Sequence, residues 1–548
     1  MQQVLSAVVG GADSNIEPGI CASHPRFLAK ASGLTEAFIL LLTKILRDKK
    51  AFAEPKRKRV LNKRIKMSNK TRHITETQSY EPRTDSIYVA LPGERYTPFS
   101  LGKKLGAKAI FESASFAHGR SRYSTLMVDE GFRLRQNEKD VSIVIDGKES
   151  VFLKEGEGDI LDALTLISAE NTVPPNQIPI PSSGVGYLGY EFCARCDTIR
   201  LAPQVDELNI PEAEFLVGHI YIVFDHFTEK LHLFALNYEE HQIDLKAAIE
   251  NIKARLADLD FSYLAPEPQY GKGITMTDLE QSRKEYVEKV EALQKHIIAG
   301  NIVQAVPSRR IQFASDIEAL DIYRRLRTVN PSPYMFFLDY GSHQFIGASP
   351  ESLVRVRDGI ATIHPIAGTR RRGKDDAEDE ALMKNLKGDP KERAEHLMLV
   401  DLARNDLGRV CEAGTVETTK YMECEKFSHV IHLVSDVQGR VAKSKKAIEV
   451  LRSSFPAGTV SGAPKISAIE ILSGLEKVKR RFYAGAVGYM ESDGDLDFCI
   501  AIRCCLKQGK TISLQAGGGI VAASNADREF EETNEKLGAV RAVLEGEN

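Results

Sequence analysis

His364-Pro365-Ile366-Ala367-Gly368-Thr369-Arg370-Arg371-Arg372-Gly373 packs a rigid proline, a small pair, a hydroxyl and three consecutive cations into one short stretch. A turn of small residues lets backbone N–H groups approach a ligand, and threonine adds a further donor. Cations beside such a turn suit an anion. The same residues also read as a Gly-containing surface turn with a solvated Arg run. Around the stretch, helices alternate with Gly-punctuated strands without a strict β-α-β rhythm or an internal repeat. That pattern indicates an α+β fold rather than a doubly wound sheet.

The chain has 548 residues, enough for two or three ordinary domains or one large one. Its composition, 43% hydrophobic and 27% charged, is that of an average globular protein. A formal net charge of -3 gives no whole-chain argument for a nucleic acid or a membrane partner. Eight cysteines in a chain this long fit free thiols in a reducing, cytoplasmic compartment. No apolar run approaches the roughly 18 residues of a membrane span. The start of the chain does not resemble a secretory leader.

Residues 1–75 read as a basic extension, with Lys56-Arg57-Lys58-Arg59 followed by Lys63, Arg64 and Lys66. A poorly ordered tail and a nucleic-acid arm both fit that composition, and the tail is preferred. Met67 is an alternative start. Residues 76–268 read as an N-terminal region and 274–546 as a second domain, with a Pro- and Gly-containing linker over 266–273.

Several elements are expected from pattern. Residues 86–91 and 141–146 alternate like strands, 184–190 is a Gly-spaced strand under close packing, and 219–224 with 230–235 form a hairpin. Tyr286, Val287, Val290, Leu293, Ile297 and Ile298 recur at helical spacing, and Gly300 stops that helix. Residues 302–313 look like one strand bulged at Pro307. Cys193 and Cys196 form a lone C-x-x-C, read as two ordinary thiols rather than zinc ligands.

Three segments carry possible chemistry. On the helix expected over 392–406, Glu395 shares a face with Leu399 and Leu402, so it must be paired, to Arg404 or Arg409, or serve as a metal ligand or acid. On the last helix, Ser524 and Asp527 resemble a capping box, Phe530, Leu537, Val540 and Leu544 form the apolar face, and Glu532 and Lys536 share the other. The strand before it ends in Ala516-Gly517-Gly518-Gly519, bare backbone suited to close ligand approach. Between these helices, residues 455–465 are small and lead through Pro464 into a helix start that favours anions. Arg503 falls in an alternating strand over 498–506. Two acids, several cations and glycine turns fit an anionic small molecule held with an oxygen-ligated divalent cation.

These motifs, namely residues 365–373, 395–406 and 456–465, Gly485-Ala486-Val487-Gly488-Tyr489 and Glu531-Glu532-Thr533, closely resemble the chorismate-utilising enzymes, and among them the anthranilate synthase large subunits. The resemblance spans roughly residues 80–545. It implies large antiparallel sheets packed against helices, a regulatory N-terminal region and a chorismate-binding C-terminal region. It further implies that Glu395 and Glu532 hold Mg²⁺ and that Gly368, Thr369, Tyr483, Arg503, Gly517, Gly518, Gly519 and Lys536 contact chorismate. Gln304 stands where water-adding members have a lysine, and an amide cannot take a proton. Ala367 stands where aminodeoxychorismate synthases carry a nucleophilic lysine. Ammonia is therefore the expected nucleophile, with Glu351 as general acid for the C4 hydroxyl and His432 linked to pyruvate elimination. Ser113 with Pro333, Tyr334 and Met335 resembles the site of feedback by L-tryptophan. No amidotransferase segment is seen, which implies a separate glutamine amidotransferase small subunit. Pro307, Asn301 and Arg371 depart from the family pattern. Two other readings stay open: aminodeoxychorismate synthase, and an inactive sensor of chorismate or tryptophan.

Overall fold

The computed structural model describes residues 84–115, 119–120, 122–171, 178–258, 273–426 and 430–546. The basic extension and nearly all of the expected linker lie outside these residues.

The fold is α+β and its sheet is antiparallel throughout. Two long strands, β3 (Tyr123–Gln136) and β5 (Ala213–Asp225), lie side by side at its centre, and β5 is buried along its whole length. From them the sheet divides into two arms. One passes from β3 through β2 (Ala109–Glu112), β8 (Tyr334–Asp339), β9 (Gln344–Ser349), β16 (Cys504–Gln508) and β17 (Thr511–Gly517) to β7 (Ser308–Ala314). The other leaves β5 through β4 (Gly184–Leu188), β14 (Ala486–Met490), β15 (Leu496–Ile500), β10 (Ser352–Arg357) and β11 (Ile360–Ile363) to β13 (Val430–Arg440). The strand β12 (Ile366–Arg371) also pairs with β13. The expected hairpin is present as β5 and β6 (Lys230–Leu236), and β1 (Ser86–Pro92) extends it.

Strands from before and after the expected linker are thus hydrogen-bonded to each other, at β2–β8 and β4–β14. Close approach of the strands on the far sides, β5 beside Gly186 and β15 beside Gly488, explains the glycines of this pair. Gly186 opposes Gly488, and a Cβ on either would fall 2.1 Å from a carbonyl oxygen of the next strand. Side chains alternate across the sheet into two cores, so that adjacent Phe336 and Phe337 enter different ones.

Four helices matter for the site: α1 (Leu279–Ile298), α2 (Pro390–Gly408), α3 (Lys465–Leu475) and α4 (Ala526–Glu545). In α1, Tyr286, Val290 and Leu293 are buried as the spacing requires, whereas Ile298 is exposed. The face of α4 containing Phe530, Leu537, Val540 and Leu544 is also buried. Among the described residues no helix is long and apolar enough to cross a membrane.

Five local expectations need correction. Residues 302–313 are not one strand. Gln304–Ala305 pairs with Gly462–Ala463, and β7 begins only at Ser308, because Pro307 has no N–H to continue the ladder. Arg503 is not in a strand, but lies between β15 and β16 with φ +53°. Asn525, not Ser524, caps α4 by accepting from Arg528 N at 3.0 Å; Ser524 accepts from Val521 N instead. Pro464 precedes α3 as its cap residue rather than filling its first turn. The buried face of α2 is His396, Val400, Ala403 and Leu407, so Glu395, Leu399 and Leu402 form a half-exposed neighbouring face.

Candidate active site

Where β9 runs into β10 the chain leaves one arm for the other through Pro350 and Glu351, and where β15 runs into β16 it returns through Ala501, Ile502 and Arg503. The two crossovers are laced together: Ile500 N donates to Glu351 O at 3.0 Å and Ala348 N to Arg503 O at 3.1 Å. Such breaks in a ladder let side chains point along the seam instead of into a core.

A cavity of about 390 Å³ opens at this seam. That is within the roughly 300–1,000 Å³ of small-molecule sites. It brings together eight of the expected site residues, Glu351, Ala367, Thr369, His432, Tyr483, Arg503, Gly517 and Lys536. Pro333, from the expected inhibitor segment, forms part of the same wall.

The opening stretch supplies one side. Register slips between Ala367 and Thr369 on β13, with Gly368 at the slip at φ +67°. A Cβ there would meet Glu392 Oε2 and Leu386 Cδ1, each at 2.9 Å, so only glycine fits without strain. The slip aims the Gly368 carbonyl at His432 Nδ1, 3.0 Å away. A carbonyl can only accept, so Nδ1 carries the hydrogen and Nε2 is the basic nitrogen of the neutral ring. Burial lowers the His432 pKa, which keeps the ring neutral. The Arg run does not line the cavity, and two of its three cations are paired with carboxylates. Arg370 binds Asp389 and Glu392 at the start of α2, each at 2.9 Å, and Arg372 binds Asp379 at 2.6 Å. Arg371 is exposed and helps hold the Glu535 carboxyl of α4 low, after the larger effect of Arg528.

Arg503 and Lys536 are the cavity's cations. Lys536 Nζ donates to Gly517 O at 2.9 Å and pairs with Glu532 at 2.7 Å. Facing them, Glu351 is pushed up to about 7 by burial, against the opposing effects of Thr459, Arg503 and Lys536. A carboxyl so placed can hold a proton at neutral pH. Tyr483 Oη lies 3.0 Å from where a Gly517 Cβ would be, so the glycine makes room for the phenol.

The remaining expected residues are not among those lining the cavity. Gln304 Nε2 would be 2.7 Å from a Cβ on Gly519, and Gly518 clears Glu529 and Tyr286. Glu395 pairs with Lys391 at 3.7 Å, not with Arg404 or Arg409, which bind Asp401 and Asp197. Burial raises the Glu395 pKa first, and Glu392 and Glu532 raise it further. Carboxylates from α2 and α4 thus crowd one another at the edge of the site. Their hard oxygen donors fit Mg²⁺ rather than a thiolate- or imidazole-seeking metal. Among the described residues no three acidic, His or Cys side chains converge as a ready-made metal site, so a cation would need oxygens from the substrate as well. The two expected inhibitor segments also meet: Met335 opposes Glu112, and Ala114 N donates to Ser332 O at 3.0 Å, while Tyr334 Oη donates to Asp497 of β15 at 3.0 Å. Ser113 lies between those contacts.

The sequence reading missed Arg480 and Glu476. Both are buried, paired at 2.6 Å, and Arg480 donates to Val306 O and Val460 O, which belong to cavity-lining residues. The only local signal was a Lys-Arg-Arg run after an apolar helix, which resembles a solvated cluster.

A family model described as chorismate binding enzyme matches residues 125–542. The anthranilate synthase component 1 of Spirochaeta aurantia is 50% identical over 473 residues, covering 86% of this chain and 98% of that protein. The chain belongs to the chorismate-binding enzymes. Another member, the anthranilate synthase component 1 of Pseudomonas aeruginosa, is 38% identical over 82% of this chain and 93% of its own length. The crystal structure of anthranilate synthase component I from Streptococcus pneumoniae superposes with a TM-score of 0.69 at 35% identity, covering 77% of this chain and 92% of that one. The menaquinone-specific isochorismate synthase from Escherichia coli shares the chorismate-binding fold, with a TM-score of 0.63 at 18% identity over 88% of this chain and 98% of that one.

Proposed function

We propose that the chain is the large subunit of an anthranilate synthase, converting chorismate and ammonia to anthranilate and pyruvate in the first step of tryptophan biosynthesis. The observation that carries this reading is Ala367 in the cavity wall beside Thr369 and His432. A methyl group there offers no amine for a covalent adduct. Gln304, beside Gly519, offers no base to activate water.

Arg503 and Lys536 would take the substrate's carboxylates, with the Thr369 hydroxyl as a further donor. Glu351 would protonate the C4 hydroxyl as its C–O bond breaks, so that it leaves as water while ammonia bonds to C2. The neutral His432, with Nε2 basic, is suited to accept a proton during the elimination that expels pyruvate. Mg²⁺ held by Glu395 and Glu532 would neutralise the ring carboxylate.

The name component 1 of the relatives supports a second component, a glutamine amidotransferase small subunit, as the ammonia source in a heteromeric complex. Ser113, Pro333, Tyr334 and Met335 would bind L-tryptophan as a feedback inhibitor. The chain would work in the cytoplasm. Purified chain given chorismate, ammonium and Mg²⁺ should release anthranilate and pyruvate, and tryptophan should inhibit it. Isochorismate, salicylate or aminodeoxychorismate as the end product would overturn the assignment.

A further inference from the structure

A second cavity of about 40 Å³, lined by Glu351 but not by Arg503, lies between α2 and the crossover. Glu351 and Thr459 line both cavities. A water requires roughly 10–15 Å³ of such space, so this one has room for about three. It has polar partners for them in Glu351, Thr459, Asp406, Ser454 and His364. Asp406 is buried and held by Lys465 at 2.8 Å. The His364 side chain is 33% exposed and bonds Asp436 at 2.7 Å, so this end reaches solvent.

We propose that this cavity is the passage through which the Glu351 carboxylate regains its proton in each turnover, with His364 as the relay at its outer end. The inference rests on the reading above, in which Glu351 is the acid. In that step the C4–O bond breaks, the Glu351 proton goes to the leaving oxygen, and water departs. The C2–N bond forms from ammonia, and the new ammonium gives its surplus proton to water or buffer. Glu351 is left as a carboxylate and needs one proton back. Glu351 lines the substrate cavity, which is then occupied, and the small cavity as well, so the second leaves its carboxyl a route to solvent protons. A carboxyl raised to about 7 can both give and regain a proton near neutrality. The His364 imidazole lines the same cavity, is held by Asp436 and is partly exposed, so its ring nitrogens stand between solvent and the cavity.

The test uses the full chain with chorismate, ammonium and Mg²⁺, followed by rapid quench through the first and later turnovers. His364→Asn removes the relay while keeping a hydrogen bond available to Asp436. Ala403→Leu fills the passage from α2, where Ala403 is buried against it. At about one pH unit below the Glu351 pKa, where the carboxyl starts mostly protonated, the first turnover of both variants should run at the wild-type rate, and the steady rate should then fall about tenfold with KM for chorismate unchanged. Imidazole added to the buffer should restore His364→Asn. Steady rates equal to wild type in His364→Asn, or a first turnover slowed as much as the later ones, would overturn the proposal. A wild-type chain that makes no anthranilate at all would instead overturn the functional reading beneath it.

Discussion

Glu351 and Arg503 sit in adjacent crossovers between the two sheet arms, and the backbone of each crossover is fixed by the other: Glu351 O accepts from Ile500 N at 3.0 Å and Arg503 O from Ala348 N at 3.1 Å. An acid and a cation far apart in sequence are therefore held on one seam without depending on a contact between their side chains. Such preorganisation is what an active site requires of its scaffold.

Glu351→Gln should lower kcat by about 10²–10⁴-fold, the usual weight of a positioned general acid. Burial raises the folded pKa of Glu351 to about 7, so the protonated form is populated below that pH and lost above it. The wild-type kcat should accordingly fall as pH rises through about 7, and the Gln variant should lack that limb. A pH–rate profile for the two proteins checks both points.

Gly517→Ala and Gly519→Ala should differ in kind. A Cβ on Gly517 meets the Pro307 carbonyl oxygen at 2.5 Å, and that backbone cannot step aside. Overpacking of this sort costs about 1–3 kcal/mol, visible as a lowered melting temperature. On Gly519 the obstacle is the far end of the Gln304 side chain at 2.7 Å, which can swing away. That variant should melt like wild type but show a higher KM for ammonium. Equal effects of the two on stability would contradict the argument.

Removing divalent cation with EDTA should abolish product formation, and Mg²⁺ should restore it. Glu395→Gln and Glu532→Gln should each raise the Mg²⁺ concentration needed for half-maximal rate by at least about tenfold, since a hard cation responds to the charge of its ligands. Titration of activity against Mg²⁺ is the measurement, and unchanged curves would remove these residues from the metal site.

Arg480→Met should destabilise the fold by about 3 kcal/mol, because it removes the ion-pair partner of the buried Glu476 and leaves it only Ser308 and the more distant Lys289. Activity should fall with it, since Arg480 also holds the carbonyls of Val306 and Val460 in the cavity wall. Denaturant unfolding curves beside kcat would show both losses.

Ala367→Lys asks how much of the reaction depends on a missing side chain. Anthranilate formation should drop about tenfold or more as the lysine occupies substrate space. Mass spectrometry of the quenched protein should reveal any covalent adduct. Undiminished turnover would mean that Ala367 does not govern the choice of nucleophile.

By itself the sequence determined the α+β class, the hairpin, the buried faces of α1 and α4 and the Glu532–Lys536 pair. These follow from periodicities of two and 3.6 residues, which are local. It also marked, through its motifs, the segments that build the cavity. Only the tertiary structure decided what each residue in them does. The Arg run after Thr369 looked like an anion site, yet Arg370 and Arg372 are held by carboxylates of the two helices that follow, and the cavity's charge comes from Arg503 and Lys536. Arg503 itself looked like a strand residue, because alternation cannot reveal that the strand ends at Ile500 to change arms. Ion pairing and crossovers depend on which distant elements meet, and no local period encodes that.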